Sequence, residues 1–352
     1  MVHYMPSRRR FLTTMGAAGA AATLSSVLPR QAWGQQKVLN LYSGRHYPSD
    51  QQLYDSFTAK TGIRVNLVEA SSDALVERIV AEGRNSPADV LLTVDAGRLW
   101  RAEQAGLLQP IQSSALDAGV PSYLRHPDGL WFGLTRRARV IMYHKDRVNP
   151  SDLSTYEALA DSRWRGKVLT RSSTNVYSQS LVGSMIASLG EPTTEEWVKG
   201  LVANFARPPE GGDTDQIKAV AAGAGDLAIS NTYYLARLLK SQKADERDIG
   251  RQIGVFFPNQ NDRGTHVNIS GGGVLKNAPN KEAAIQFMEH LITPESQEIF
   301  AKSNNEYPVL KGVSTDFVVL AWGDFKEDTV NAAVFGANNP LALQLTDRAG
   351  WK

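Results

Sequence analysis

The sequence predicts an α/β protein of two lobes, joined by a hinge of crossing strands and separated by an interlobe cleft. Three observations predict it. The 352 residues are more than one small core accommodates. Strand-like apolar runs alternate with helical patterns, which implies parallel pairing through helical crossovers. One extended run, Trp131 to Asp146, is long and falls between two such sections, as a strand passing from lobe to lobe would.

The elements follow in order. Val38 to Tyr42 reads as a buried strand ending in the turn Ser43-Gly44. From Ser49 a helical pattern puts Leu53, Tyr54 and Phe57 on one face, and Thr61-Gly62 stops it. Arg64 to Glu69 and Ala88 to Asp95 read as strands, with helices at Asp73 to Ala81 and from Ala96. Beyond the crossing strand come helices near Tyr156 to Ala160, Gln179 to Leu189, Thr194 to Phe205 and Asp215 to Ala222, and strands at Lys167 to Thr170 and Asp226 to Ser230. His266 to Leu275, with Gly271, Gly272 and Gly273, reads as the return crossing; Lys281 to Ile292 is an amphipathic helix and Asp328 to Phe335 a C-terminal one. The expected division is residues 35–135 plus about 265–313 for lobe 1, and about 136–264 plus 314–352 for lobe 2. Two crossings imply a hinge, and clefts between lobes are where small ligands bind.

Residues 1–34 read as a signal peptide. Ser7-Arg8-Arg9-Arg10-Phe11-Leu12 precedes a small, apolar run to Leu28, and Ala32-Trp33-Gly34 suits a signal peptidase. Paired arginines before Phe-Leu resemble the twin-arginine signal, which exports folded proteins; the competing reading is an N-terminal membrane anchor. Without the four arginines of this segment the net charge falls from +2 to −2, which leaves no electrostatic case for nucleic acid. The expectation is a soluble periplasmic monomer, exported in folded form by the twin-arginine route.

Chemistry is constrained by the absence of cysteine, which excludes disulfides, thiolate metal sites and cysteine nucleophiles. A metal site must then use oxygen or imidazole donors. Tyr233 and Tyr234 follow a strand ending at Ser230, where Asn231 or Thr232 can cap the next helix, so at the first turn both phenols can reach one point. Taken alone, the pair reads more readily as one core and one surface tyrosine. A phenol ionises near ~10, but a trivalent hard cation stabilises phenolate and is well matched to it. Arg237, one turn on, can stabilise phenolate from behind, or can be an exposed helix arginine. His46 and Tyr47 follow the first strand, the usual ligand-bearing end of an α/β lobe. Tyr177 sits in a polar loop, Arg171 to Gln179, as a cleft residue or as core packing at a helix start. Neither a Gly-x-Ser-x-Gly elbow nor a His-Glu-x-x-His helix is present, and no enzyme is expected.

Over residues 37–352 the chain resembles the bacterial periplasmic ferric-iron-binding proteins, of the type 2 periplasmic-binding fold. The resemblance is carried by Leu41-Tyr-Ser-Gly44 with His46, Ala59 to Val65, Ser86 to Val90, Arg137-Ala-Arg-Val140 with Tyr143, the Tyr233-Tyr234 pair, Ser270 to Lys276, and Glu306-Tyr-Pro308. It implies that Tyr233 and Tyr234 ligate ferric iron and that His46 is a ligand or near-site group. Many members place a glutamate ligand after the third strand, where this chain has Val94 and Asp95, and an anion-binding loop where it has Ser173-Thr174-Asn175. Both departures, with Tyr47 and Tyr177, resemble the cyanobacterial-type branch, which uses four tyrosines without an external anion. The implied metal ligands are Tyr47, Tyr177, Tyr233 and Tyr234, with His46 as a fifth, Arg237 behind them, Fe3+ as transported ligand and an ABC permease as partner. The alternative is a same-fold protein for a polyamine, sugar or thiamine-like solute, with Trp100 and Trp131 supplying apolar faces.

Overall fold

The computed structural model describes residues 37–352; residues 1–34, read above as a signal peptide, lie outside them. In the first section β1 (Val38–Ser43), α1 (Asp50–Thr61), β2 (Arg64–Glu69), α2 (Ser72–Glu82), β3 (Val90–Val94), α3 (Ala96–Gln104) and α4 (Ser114–Gly119) follow one another. β4 (Phe132–His144), β5 (Val168–Leu169), α5 (Val176–Leu189), α6 (Glu191–Ala203), α7 (Asp213–Ala221), β6 (Leu227–Asn231), α8 (Thr232–Leu239), α9 (Ala244–Gln252) and β7 (Ile253–Phe256) come next. The chain ends with β8 (Val267–Val274), α10 (Lys281–Leu291), α11 (Pro294–Asn304), β9 (Tyr307–Pro308), α12 (Phe317–Leu320), α13 (Ala332–Ala337) and α14 (Asn339–Arg348).

The strands run in the order β2-β1-β3-β8-β4-β6-β5, with β7 and β9 pairing along β4. β1 pairs in parallel with β2 and β3, setting Leu41 beside Leu67 and Val90. Helical crossovers make that pairing possible, and burial on both faces suits the Val- and Leu-rich composition. α1 buries Leu53, Tyr54 and Phe57 as the periodicity expects, and Gly62 takes φ 72° to end it.

β4 is the structural pivot. Residues 132–138 pair antiparallel with β8, whereas residues 139–144 pair with β6 and β7. The strand therefore leaves one half of the sheet and enters the other at Arg137 to Arg139. β8 returns the chain to the first half, against β3 and β4. Its glycines allow the central strands to approach: a Cβ on Gly271 would sit 2.6 Å from the Phe132 carbonyl oxygen. One apolar cluster runs from Leu41, Phe57, Leu91 and Phe287 across to Met142, Ile217 and Leu235, and a second gathers around Ile141, Trp164, Val198 and Ile229.

Some local expectations change. Tyr156 to Ala160 is not an α-helix but a short 3-10 turn, Glu157–Ala160. α9 goes unannounced because Ala244 to Gln252 is polar nearly all round and buries only Gly250. The C-terminal helix expected at Asp328 to Phe335 begins at Ala332, and α14 follows it. No helix among the described residues is long and apolar enough to cross a membrane.

Candidate metal centre

Each tyrosine is delivered by a turn whose geometry the sequence specifies. The loop after β1 turns at His46 with φ 51°, bringing Tyr47 around. Asn175 caps α5, its Oδ1 accepting from the Tyr177 amide at 3.0 Å, so Tyr177 occupies the first turn. β6 ends at Asn231 and α8 begins at Thr232, which puts Tyr233 and Tyr234 on a first turn as well. Their rings lie 4.2 Å apart, tilted by 33°. Asn231 provides no side-chain cap; its Oδ1 instead accepts from Arg139 at 3.2 Å.

These segments meet around one open cavity of about 620 Å³, lined by His46, Tyr47, Tyr177, Tyr233, Tyr234 and Arg237. Tyr233 is 1% exposed and Tyr177 9%, while Tyr47 and Tyr234 keep more surface open and His46 is exposed. Among the described residues no group of three or more His, Asp or Glu can hold a metal ion. The donors converging here are phenols and one imidazole.

Guanidiniums surround the phenols. Arg237 stands 5.0 Å from the Tyr47 ring centre, 4.9 Å from Tyr233 and 5.8 Å from Tyr234. Arg45 is 4.8 Å from Tyr47, Arg137 5.7 Å from Tyr233, and Arg171 5.2 Å from Tyr177. Burial pushes the Tyr233 phenol well above its ordinary value, and Tyr177 adds to the shift. Burial also raises Tyr234, followed by Tyr177, and raises Tyr47, followed by the Glu306 carboxylate. Without a cation these three phenols are neutral; a trivalent hard ion reverses that by stabilising phenolate directly.

Beneath the phenols lies a layer of buried ion pairs. Arg45 bonds Asp50 at 2.7 Å and Glu306 at 3.2 Å, and Glu306 also faces Arg137 at 3.5 Å. Arg139 and Arg171 both reach Asp213, at 3.3 and 3.4 Å. The arginines of the crossing strand all have partners that are not exposed: Arg136 pairs with Glu327, Arg137 with Glu306 and Arg139 with Asp213. α7 begins after Gly212, whose amide donates to Asp215 at 2.7 Å. Asp95, adjacent to the position of the family's glutamate, turns its carboxylate away, toward Gly97, Ser180 and Asn268. Sequence reasoning missed Arg45, Glu306 and Asp213 as parts of this layer; the quoted Glu306-Tyr-Pro308 was the available signal for one of them.

Two sheet halves sharing long central strands, with a polar cavity lined from both, define a two-lobed binding protein of the periplasmic type. The chain belongs to the bacterial extracellular solute-binding protein family, whose model it matches over residues 52–332. It is 54% identical to iron uptake protein A2 of Synechocystis over 348 residues, 98% of this chain and 99% of that one. Among solved structures it is similar to the Trichodesmium protein IdiA (FutA) in complex with iron and citrate, with TM-score 0.88 and 60% identity, covering 90% of this chain and 100% of that one. The ferric binding protein of Campylobacter jejuni matches with TM-score 0.84 and 40% identity, covering 89% and 100%.

Proposed function

We propose that this chain is an extracytoplasmic substrate-binding protein that takes up ferric iron as cargo and delivers it to an ABC importer. Tyr47, Tyr177, Tyr233 and Tyr234 hold the ion as tyrosinates, with His46 as fifth ligand or near-site group. The observation that carries this is the convergence of four phenols from three chain segments on one cavity without a carboxylate cluster. Four phenolates around a trivalent ion leave one net negative charge, which Arg237 meets from within 6 Å of three of the rings. The relatives named for iron uptake and ferric binding support the same reading.

Binding proceeds by closing residues 35–135 plus about 265–313 onto about 136–264 plus 314–352 about the β4 and β8 crossings. Closure brings Tyr47 from one side against Tyr177, Tyr233 and Tyr234 from the other, so a half-open cleft binds weakly and a closed one tightly. The chain works as a binding protein rather than an enzyme. It reaches the periplasm by the twin-arginine route and meets the permease as a monomer.

Titration with ferric citrate under visible light tests the reading. Phenolate donates charge to ferric iron, so loading should produce a coloured protein. Colourless protein, or another tightly held solute found by mass spectrometry on the protein as isolated, would reject iron in favour of an organic ligand, which a cavity of this size also admits.

A further inference from the structure

Asp95 follows β3 in a backbone conformation of φ 81° and ψ 131°, a region populated essentially by glycine. It has no solvent exposure. Aspartate is an ordinary residue before a helix, but such caps take extended backbone, and glycine would cap α3 at little cost without strain. What glycine cannot supply is a carboxylate, and here both oxygens are engaged. Oδ1 accepts from the Gly97 amide at 2.8 Å and from the Ser180 hydroxyl at 2.7 Å; Oδ2 accepts from Asn268 Nδ2 at 2.8 Å. Asn268 in turn accepts from the Ala96 amide at 3.0 Å. One side chain thus ties the end of β3 to β8 and to α5.

Ser180 lies three residues beyond Tyr177 on α5, one turn away on the same face. Val94, the residue before Asp95, lines the cavity together with Tyr177. One turn beyond Ser180, on the same side of α5, the packing is also close: a Cβ on Gly183 would sit 2.5 Å from the Phe335 carbonyl oxygen of α13. α5 is therefore fixed along one side by the hydrogen bond from Ser180 and by a tight backbone approach one turn later.

We propose that Asp95 is a positioning residue for Tyr177: through Ser180 it sets the seat of α5 against β3, and with it the reach of the Tyr177 phenol across the cleft. This rests on the reading of Tyr177 as an iron ligand. The strained backbone is retained because the carboxylate fixes a distance between two sides of the site that backbone contacts alone leave loose.

The test uses the full chain carrying Asp95→Gly, Ser180→Ala or Tyr177→Phe, and each of the first two combined with Tyr177→Phe. Asp95→Gly relieves the local φ but leaves the Gly97 amide, the Ser180 hydroxyl and the Asn268 amide without their acceptor; Ser180→Ala is a second variant that leaves the backbone and the other two bonds alone. Both should shift the phenolate-to-iron absorption band and speed iron loss to excess chelator by roughly 10-fold or more, the scale of lost outer-shell partners. Added to Tyr177→Phe, they should change neither readout further. Wild-type band and release rate in both single variants, or effects additive with Tyr177→Phe, overturn the positioning role while leaving iron binding intact. A Tyr177→Phe protein with the wild-type band and release rate overturns the ligand reading, and the positioning role with it.

Discussion

Arg45 and Glu306, 261 positions apart in the chain, form a salt bridge of 3.2 Å in which neither side chain has solvent exposure. Glu306 also faces Arg137, so one carboxylate joins the guanidinium beside Tyr47 to the guanidinium beside Tyr233. Burial alone would raise this carboxyl; Arg45 and Arg137 hold it below the usual carboxylate range. Removing one partner leaves two buried cations undercompensated, which costs on the order of 3–5 kcal/mol. Glu306→Gln should therefore lower the urea midpoint of the iron-free protein markedly, whereas exchange of an exposed acid such as Glu298 should not.

Tyr233 and Tyr234 share a first helical turn and one cavity. On the proposed ligation, Tyr233→Phe with Tyr234→Phe removes two anionic ligands and little volume. Iron affinity should fall by more than the ~10–100-fold typical of losing an outer-shell group, and the visible band of whatever iron still binds should weaken and shift, carried by Tyr47 and Tyr177 alone. Circular dichroism should remain that of the parent.

Arg237 touches no iron in this scheme but faces three of the phenols. Arg237→Gln should weaken ferric binding by ~10–100-fold and accelerate release. Because the charge is lost and not a ligand, the absorption band should persist. Arg237→Lys should recover part of the affinity, since the ammonium retains the charge without the planar fork.

Proton release offers an independent count. The phenols of Tyr47, Tyr233 and Tyr234 are all raised above their ordinary value and so are protonated in the iron-free protein at neutral pH. On the proposed ligation, loading expels those protons, and apparent affinity falls about tenfold per pH unit for each one as pH drops. A pH-stat titration, corrected for the released chelator, should register at least three protons per ferric ion. The Tyr233→Phe/Tyr234→Phe protein should release about two fewer from whatever iron it still binds.

His266 predicts the acid limb of stability. Burial, then Arg139 and Arg263, push its pKa down to about 3, against roughly 6.5 in an unfolded chain. Between those values the unfolded state binds the additional proton, so stability is lost as pH falls from about 6.5 toward 3. This one group contributes a slope of about 1.4 kcal/mol per pH unit. In His266→Gln the urea midpoint should depend less steeply on pH across that window.

Much of the fold was legible in the chain. β1, α1, β2, α2 and β3 carry clean apolar periodicities, and the 13-residue β4 is long enough to announce a crossing. The phenols were legible as types and as turn residues, because Asn175 and the strand-to-helix corner at Ser230 to Thr232 put Tyr177, Tyr233 and Tyr234 on first turns. α9 was not, since a polar helix leaves no period to read, nor was the 3-10 turn after Tyr156, whose short apolar run suits either helix form.

By itself the sequence determined which chemistry was open: no thiolates, tyrosines at strand and helix ends, and an alternation that demands a two-half α/β sheet. These are local properties, carried by residue type and near-neighbour spacing. Only the tertiary structure decided which charges meet. Arg45 and Glu306, Arg139 and Asp213, Asp95 and Ser180 are each separated by dozens to hundreds of residues, and all are buried. A buried charge must find a partner wherever the fold brings one, and that pairing is set by packing in three dimensions, which no window along the chain contains.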